Sequence, residues 1–199
     1  MKYPANITEV LAIKPDYLGF IFYESSKRYV ENLAPEFVRE LTAIKKVGVF
    51  VNASVAAVEQ AIDRYGLDMV QLHGQEEPAF VADVGAFGVE VIKAFGITDG
   101  FDWLQLEPYE RVANYFLFDT KTPAHGGSGK QFDWSLLRRY HLQKPYFLSG
   151  GLSAENMNEA IALKDPRLFA IDVNSKFESR PGFKDVQLLE TALLKIKKL

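Results

Sequence analysis

The chain has 199 residues, 48% of them hydrophobic, with 15 Phe and 9 Tyr, which is enough for one sizeable core and a single domain spanning residues 1–199. A formal net charge of −3 with no Lys/Arg block argues against nucleic acid as a partner, and zero cysteines exclude disulfide and thiol chemistry within these residues. No apolar run reaches the roughly 18 residues of a membrane span, nor does MKYPANITEV open on one of signal-peptide length, so no membrane contact and a cytoplasmic protein are the expectations.

In chain order, Pro4 to Lys14 reads as a short helix, with Ile7, Val10 and Leu11 at helical spacing. Asp16 to Phe22 is a near-continuous apolar run of the kind a parallel sheet buries on both faces. Polar Glu24 to Arg28 follows as a loop. Pro35 to Ile44 is a helix and Lys46 to Asn52 a strand. Ser54 caps a helix that runs to about Tyr65 and stops at Gly66. Asp68 to His73 is a strand, Glu76 to Gly85 a helix, Val89 to Phe95 a strand, and Asp99 to about Glu107 a weaker helix. Asn114 to Asp119 is a strand that delivers a carboxylate to its C-terminal end. The loop beyond it holds Gly126, Gly127 and Gly129 and closes at Asp133, a fitting helix N-cap. Asp133 to Tyr140 is a helix, Pro145 to Ser149 a strand, Ala154 to Leu163 a helix, Leu168 to Val173 a strand, and Asp185 to Lys198 the last helix.

Strand and helix therefore alternate seven times with short connections, which predicts a parallel sheet. An open doubly wound sheet and a closed (β/α)8 barrel both satisfy that order. The open sheet would carry a single Gly-rich turn at its switch point. Here polar residues end strand after strand: Glu24, Asn52, His73, Lys93, Asp119, Ser149 and Asp172. That distribution suits a barrel, whose site gathers from all the βα loops. The count falls one strand short, and the chain opens on a helix.

Several residues could carry chemistry. Asp119, at a strand end beside a long loop, is a helix cap or an ion-pair partner of Lys121, or a general acid whose apolar walls raise its pKa. Asp172 is a second candidate of the same kind. Arg28 is a solvated charge or a guanidinium fork for a carboxylate or phosphate. The turn at Ser149, Gly150 and Gly151 lies between a strand and a helix, where backbone N–H groups cradle phosphate. Asp172 to Lys176, with Asn174 and Ser175, follows the last strand, and loops after the last two barrel strands are the recurrent phosphate site. Gly126 to Lys130 is not a Walker A loop, because Gln131 follows the lysine. His73, His125 and His141 lack metal-ligand spacing. Gln71 and His73 share one side of their strand, as structural or working groups.

Taken together, these stretches resemble the phosphoribosylanthranilate isomerase family. The resemblance rests on DYLGFIFY with SKRY (16–29), VGVFVN (47–52), VQLHG (70–74), FDTKTP (118–123) with GGSGK (126–130) and FDW (132–134), LSGGL (148–152), and DVNS (172–175) with Pro181, Gly182, Lys184 and Asp185. It implies a (β/α)8 barrel and an Amadori rearrangement of N-(5-phosphoribosyl)anthranilate, a small phosphorylated substrate, without metal or organic cofactor. The family's acid maps onto Asp119. Its phosphate site maps onto Gly150 and Gly151 with Asn174 and Ser175, and its carboxylate partner onto Arg28; Gln71 and His73 are further binding candidates. The loop from Lys121 to Lys130, with Gly126, Gly127 and Gly129, would be a lid that keeps water from a hydrolysable intermediate.

Two departures carry expectations. The family's base is a cysteine in a Lys-[Ile/Val]-Cys-Gly motif on the first strand, and this chain has neither, so the barrel is expected to lack its first β-strand and isomerase activity to be impaired. Lys176 stands where the family commonly has Gly, which would be strained at positive φ. The alternatives are a non-catalytic phosphate-ligand-binding barrel and, more remotely, an indole-glycerol-phosphate synthase, whose catalytic lysines are not evident. Oligomeric state is left open.

Overall fold

The structure, a computed structural model, describes residues 1–121 and 131–196. Seven strands form one parallel sheet in chain order: β1 (Tyr17–Ile21), β2 (Lys45–Phe50), β3 (Met69–Leu72), β4 (Glu90–Ile97), β5 (Tyr115–Thr120), β6 (Tyr146–Leu148) and β7 (Leu168–Ile171). The α/β alternation read from the sequence therefore holds. The sheet curls. Tyr17 on β1 stacks edge-on against Phe147 on β6 with ring centroids 5.6 Å apart, although four strands lie between them in the sheet. Tyr17 also lies 6.4 Å from Phe169 on β7.

The curl splits each strand's side chains by the period of two. Val47, Met69, Ile92, Ala94, Leu117 and Phe147 form an inner apolar cluster, joined by Tyr17, Tyr115 and Ala170. Outward positions such as Phe50, Val70, Leu72, Val91, Phe116, Phe118, Tyr146 and Leu148 pack into a larger core beneath the helices. The near-continuous apolar runs of the strands have this cause: both faces are covered.

The helices are α1 (Pro4–Ala12), α2 (Pro35–Arg39), α3 (Val55–Tyr65), α4 (Pro78–Gly85), α5 (Met157–Ala162) and α6 (Val186–Ile196). α3 follows its sequence signals closely. The Ser54 hydroxyl accepts from Ala57 N at 3.2 Å, Gly66 closes the helix at φ +61°, and Val58, Ala61 and Ile62 face the core. Two segments expected to be α-helical are instead 3₁₀ turns, Trp103–Tyr109 and Trp134–Arg139. Pro108 lies inside the first, and Pro removes a donor from the α-helical ladder. In both, an Asp side chain caps the residue two places on, Asp102 to Leu104 N and Asp133 to Ser135 N. One feature was not expected: a small antiparallel hairpin, β8 (Glu178–Arg180) and β9 (Phe183–Lys184), between β7 and α6.

β1 and β7 are the sheet's edges and do not bond to each other. Among the described residues, the outer edge of β1 meets the Met1 amine at the Gly19 carbonyl and the Tyr29–Val30 segment at Ile21. The edges face one another across a gap lined by residues of α1 and α6, including Val10, Leu189 and Ala192.

Candidate active site

The period that aims Leu117 inward also aims Asp119 inward, two residues closer to the strand's C-terminal end. The same step takes Met69 to Gln71 and His73, Phe147 to Ser149, and Ala170 to Asp172. Polar groups thus form the layer directly above the apolar interior. They line a cavity of about 920 Å³ at the C-terminal rim, which continues down the gap between β1 and β7. Arg28, Gln71, His73, Asp119, Gly150, Gly151, Asn174 and Ser175 all border it. Gly126, Gly127 and Gly129, the glycines expected in a lid, lie outside the described residues.

Asp119 is 6% exposed. Its Oδ1 accepts from Thr120 N at 2.7 Å, and its Oδ2 lies 3.3 Å from His73 Nε2. His73 Nδ1 is 2.9 Å from Gln71 Nε2. With the Gln71 amide donating to Nδ1, the ring proton of neutral His73 sits on Nε2 and points at Asp119. Asp172 is the second carboxyl of the pocket, and the Ser149 hydroxyl donates to its Oδ2 at 3.2 Å. Burial, then the charge of Asp119, pushes the Asp172 pKa above the usual carboxylate range.

Gly150 brings the neighbouring turn close against Asp119. Its φ is +87°, and a Cβ there would fall 2.5 Å from Thr120 N and 2.7 Å from Asp119 Oδ1. Only glycine lets that backbone pass so close to the carboxylate. Gly151 follows at φ +69°. The Asn156 side chain braces this turn, accepting from Ser153 N at 2.8 Å and donating to Gly151 O at 3.0 Å. α5 begins only at Met157, later than the expected Ala154. A side-chain brace therefore stands where the sequence suggested an adjoining helix terminus.

The second expected phosphate turn, Asn174 and Ser175, opens a 3₁₀ turn over Ser175–Phe177. Lys176 lies within it and is not among the residues of positive φ, which besides glycine are Lys14, Asn52 and Lys164 among the described residues. The strain expected of a lysine at that position is absent. Lys184 Nζ holds the turn, donating to Asn174 O at 3.1 Å and to Asn174 Oδ1 at 2.6 Å.

Arg28 is not a solvated charge. Its Nε donates to both Glu178 oxygens at 3.1 and 2.9 Å, and its Nη2 lies 2.7 Å from Glu178 Oε2. Glu178 and Lys184 were not singled out from sequence as site residues. Pro181–Gly182 between two short polar-apolar segments is the turn signal that could have revealed their hairpin. Conversely, Glu24, Asn52 and Lys93, counted as strand-end polar groups, do not line the cavity. Lys93 sits between inward Ile92 and Ala94, so it points outward, where its Nζ lies 3.0 Å from Glu76 Oε2 and donates to Gly74 O at 2.9 Å.

The family model described as N-(5'-phosphoribosyl)anthranilate isomerase matches residues 2–194. An isomerase of that name from Parabacteroides distasonis is 43% identical over 199 aligned residues, covering 98% of this chain and 90% of the relative. The crystal structure of phosphoribosyl anthranilate isomerase from Thermotoga maritima superposes with a TM-score of 0.84 at 34% identity, covering 100% of this chain and 96% of that one. A further crystal structure of such an isomerase, in complex with reduced 1-(o-carboxyphenylamino)-1-deoxyribulose 5-phosphate, gives a TM-score of 0.82 at 30% identity, again with 100% and 96% covered. By sequence and by fold, the chain belongs to the N-(5'-phosphoribosyl)anthranilate isomerase family.

Proposed function

We propose that this cavity performs the family's reaction, the Amadori rearrangement of N-(5-phosphoribosyl)anthranilate to 1-(2-carboxyphenylamino)-1-deoxyribulose 5-phosphate in tryptophan biosynthesis. Family membership makes the chain an isomerase; the assignment of residues is our own. Asp119 donates a proton to the furanose oxygen, the C1–O bond breaks, and the ring opens to an iminium. A base then removes the C2 proton, and the resulting enol tautomerises to the ketose. Backbone N–H groups of the Gly150–Gly151 and Asn174–Ser175 turns receive the phosphate, and the Arg28 guanidinium receives the anthranilate carboxylate. His73, fixed by Gln71, donates to the Asp119 carboxylate left after proton transfer and so stabilises it. One observation supports this reading above the rest: the acid, the carboxylate fork and both phosphate turns border a single cavity.

The 199 residues contain no cysteine, so the second proton transfer is not assigned to a side chain of this chain. The gap between β7 and β1 is consistent with a single-domain (β/α)8 barrel in which one strand position, the first, is open. A soluble cytoplasmic enzyme fits the family's biosynthetic role.

Loss of anthranilate fluorescence on conversion of the substrate tests the reading. It should be followed in the chain as it stands and in a form with an apolar Lys-Ile-Cys-Gly strand joined ahead of Met1. Asp119→Asn in the extended form should lower kcat by about 10²–10⁴-fold while the reduced product analogue still binds. Full activity in Asp119→Asn would refute the assignment. Binding without turnover in both forms would instead identify a phosphate-ligand binder.

A further inference from the structure

The β8–β9 hairpin lies outside the strands and helices that build the cavity, yet its side chains reach two of the cavity's corners. Glu178, with a side chain 3% exposed, holds Arg28 from the loop after β1. Its Oε1 also accepts from Lys184 Nζ at 2.9 Å, and Lys184 in turn holds Asn174. Gly182 N adds a further bond to Glu178 Oε1 at 3.2 Å. The hairpin itself is pinned to α1. Buried Asn6 uses both ends of its amide on the Lys184 backbone, accepting from Lys184 N at 2.6 Å and donating to Lys184 O at 2.9 Å. Arg180 lies over the Tyr3 and Phe183 rings at 4.9 and 5.0 Å. The bracket is therefore fixed to the body of the molecule at one side and presents charged groups at the other.

We propose that Glu178 is a positioning residue for ligand recognition: it clamps the Nε and Nη2 edge of Arg28 and so leaves the Nη1 edge set for a ligand carboxylate. Through Lys184, the same carboxyl sets that edge relative to the Asn174 turn. The guanidinium is planar with donors on each edge, so holding one edge fixes where the other points. A lone arginine on a loop would have to lose rotamer freedom on binding. Glu178 removes that cost beforehand. Buried between two cations, it is suited to stay ionised. Burial alone would raise its pKa, but the Arg28 hydrogen bonds and the Lys184 charge outweigh it and hold the group below its ordinary range.

This rests on the proposed function, in which Arg28 meets the anthranilate carboxylate. The ligands occupying the site would then share two features: a phosphate at one end and an aromatic carboxylate at a fixed span from it.

Calorimetry with two probes tests the inference: reduced 1-(o-carboxyphenylamino)-1-deoxyribulose 5-phosphate, and the same compound without the ring carboxyl. The quantity read is the preference, the ratio of the two affinities, from which effects on the shared phosphate cancel. Glu178→Gln should lower the preference roughly tenfold, the scale of a charged hydrogen bond. Arg28→Ala should abolish it, and Glu178→Gln should change it no further in the Arg28→Ala background. Glu178→Asp, which keeps the charge but shortens the reach, should also lower it; this variant serves if the Gln form folds poorly. A preference that is unchanged or raised in Glu178→Gln would overturn the inference, because a merely neutralising Glu178 would release Arg28 to bind carboxylate better. So would an additive effect in the double variant. A wild-type chain that binds neither probe would overturn the functional reading first; one that binds both equally would overturn only the role given to Arg28 and Glu178.

Discussion

The two flanks of the cavity are held by different means. On the β3–β5 flank the ladder is continuous, with β4 and β5 paired over six residues from Ile92–Tyr115 to Ile97–Thr120. The backbone delivers Gln71, His73 and Asp119, and alternation alone decides that they face inward. On the β6–β7–β1 flank the ladder thins. β6 is three residues long, its register with β7 shifts between Tyr146 and Phe147, and β7 does not pair with β1. There, Asn156, Lys184 and Glu178 do with side-chain bonds what hydrogen-bonded strands do opposite. The proposed acid is placed by the sheet, and the groups proposed to read phosphate and carboxylate are placed by side-chain hydrogen bonds and ion pairs.

The contrast can be broken at four points. The largest effect should come from the continuous flank. Lys93 and Glu76 are a buried ion pair behind β3 and β4, and Glu76 Oε1 also accepts from Asn52 N at 2.8 Å and Gly74 N at 3.1 Å. Burial lowers the Lys93 pKa against the pull of Glu76. Lys93→Met strands a buried carboxylate and should cost about 3–5 kcal/mol in urea unfolding. Adding Glu76→Gln should recover part of that loss, since the amide oxygen still accepts from both backbone donors. A loss below about 1 kcal/mol would show the pair to be dispensable.

The open flank should respond in the other direction. An apolar strand joined ahead of Met1 offers partners to the facing edges of β1 and β7, and should raise Tm by about 5 °C or more. An unchanged Tm would mean that the gap is not a strand position. Gly150→Ala should cost about 1–3 kcal/mol from the left-handed φ alone. It should also weaken inorganic phosphate binding and lower turnover together, because the added carbon belongs to the turn and meets Thr120 and Asp119. Retained phosphate affinity would separate the two groups that the cavity brings together.

The smallest effect concerns Asp172. Its folded pKa is raised by burial and by Asp119, with Lys184 and His73 acting against them. The native state thus holds this proton more tightly than the unfolded chain does. The stability it gives is full below the ordinary carboxylate range and is lost as pH rises through the raised folded value. Asp172→Asn should therefore be slightly more stable than wild type at pH 7 and lose that advantage in acid. Melting curves across that range check the sign; an advantage that grows in acid would contradict it.

Much of the β3–β5 flank is legible in the sequence, for a physical reason. A buried parallel strand is a run of apolar residues, and the first polar residue after it marks the rim, as in FLFD ending at Asp119. The same rule misled at Lys93, because a strand end has two faces and the parity of Ile92 and Ala94 decides which. The hairpin side was less legible. Glu178 and Lys184 are charged residues in a polar stretch, and nothing local distinguishes a buried three-way ion network from solvated charge. Its partners, Arg28 and Asn6, lie 150 and 178 residues away. Only the curl of the sheet brings them together.

The central claim is that one cavity holds a proton donor for the sugar oxygen beside a phosphate grip and a carboxylate fork. A crystal structure of this chain with reduced 1-(o-carboxyphenylamino)-1-deoxyribulose 5-phosphate tests it most directly. The account predicts the phosphate on the amides of Gly150, Gly151, Asn174 and Ser175, the ring carboxylate on Arg28, and the sugar chain within hydrogen-bond reach of Asp119. A phosphate bound elsewhere, or a ligand whose sugar chain faces away from Asp119, would contradict it.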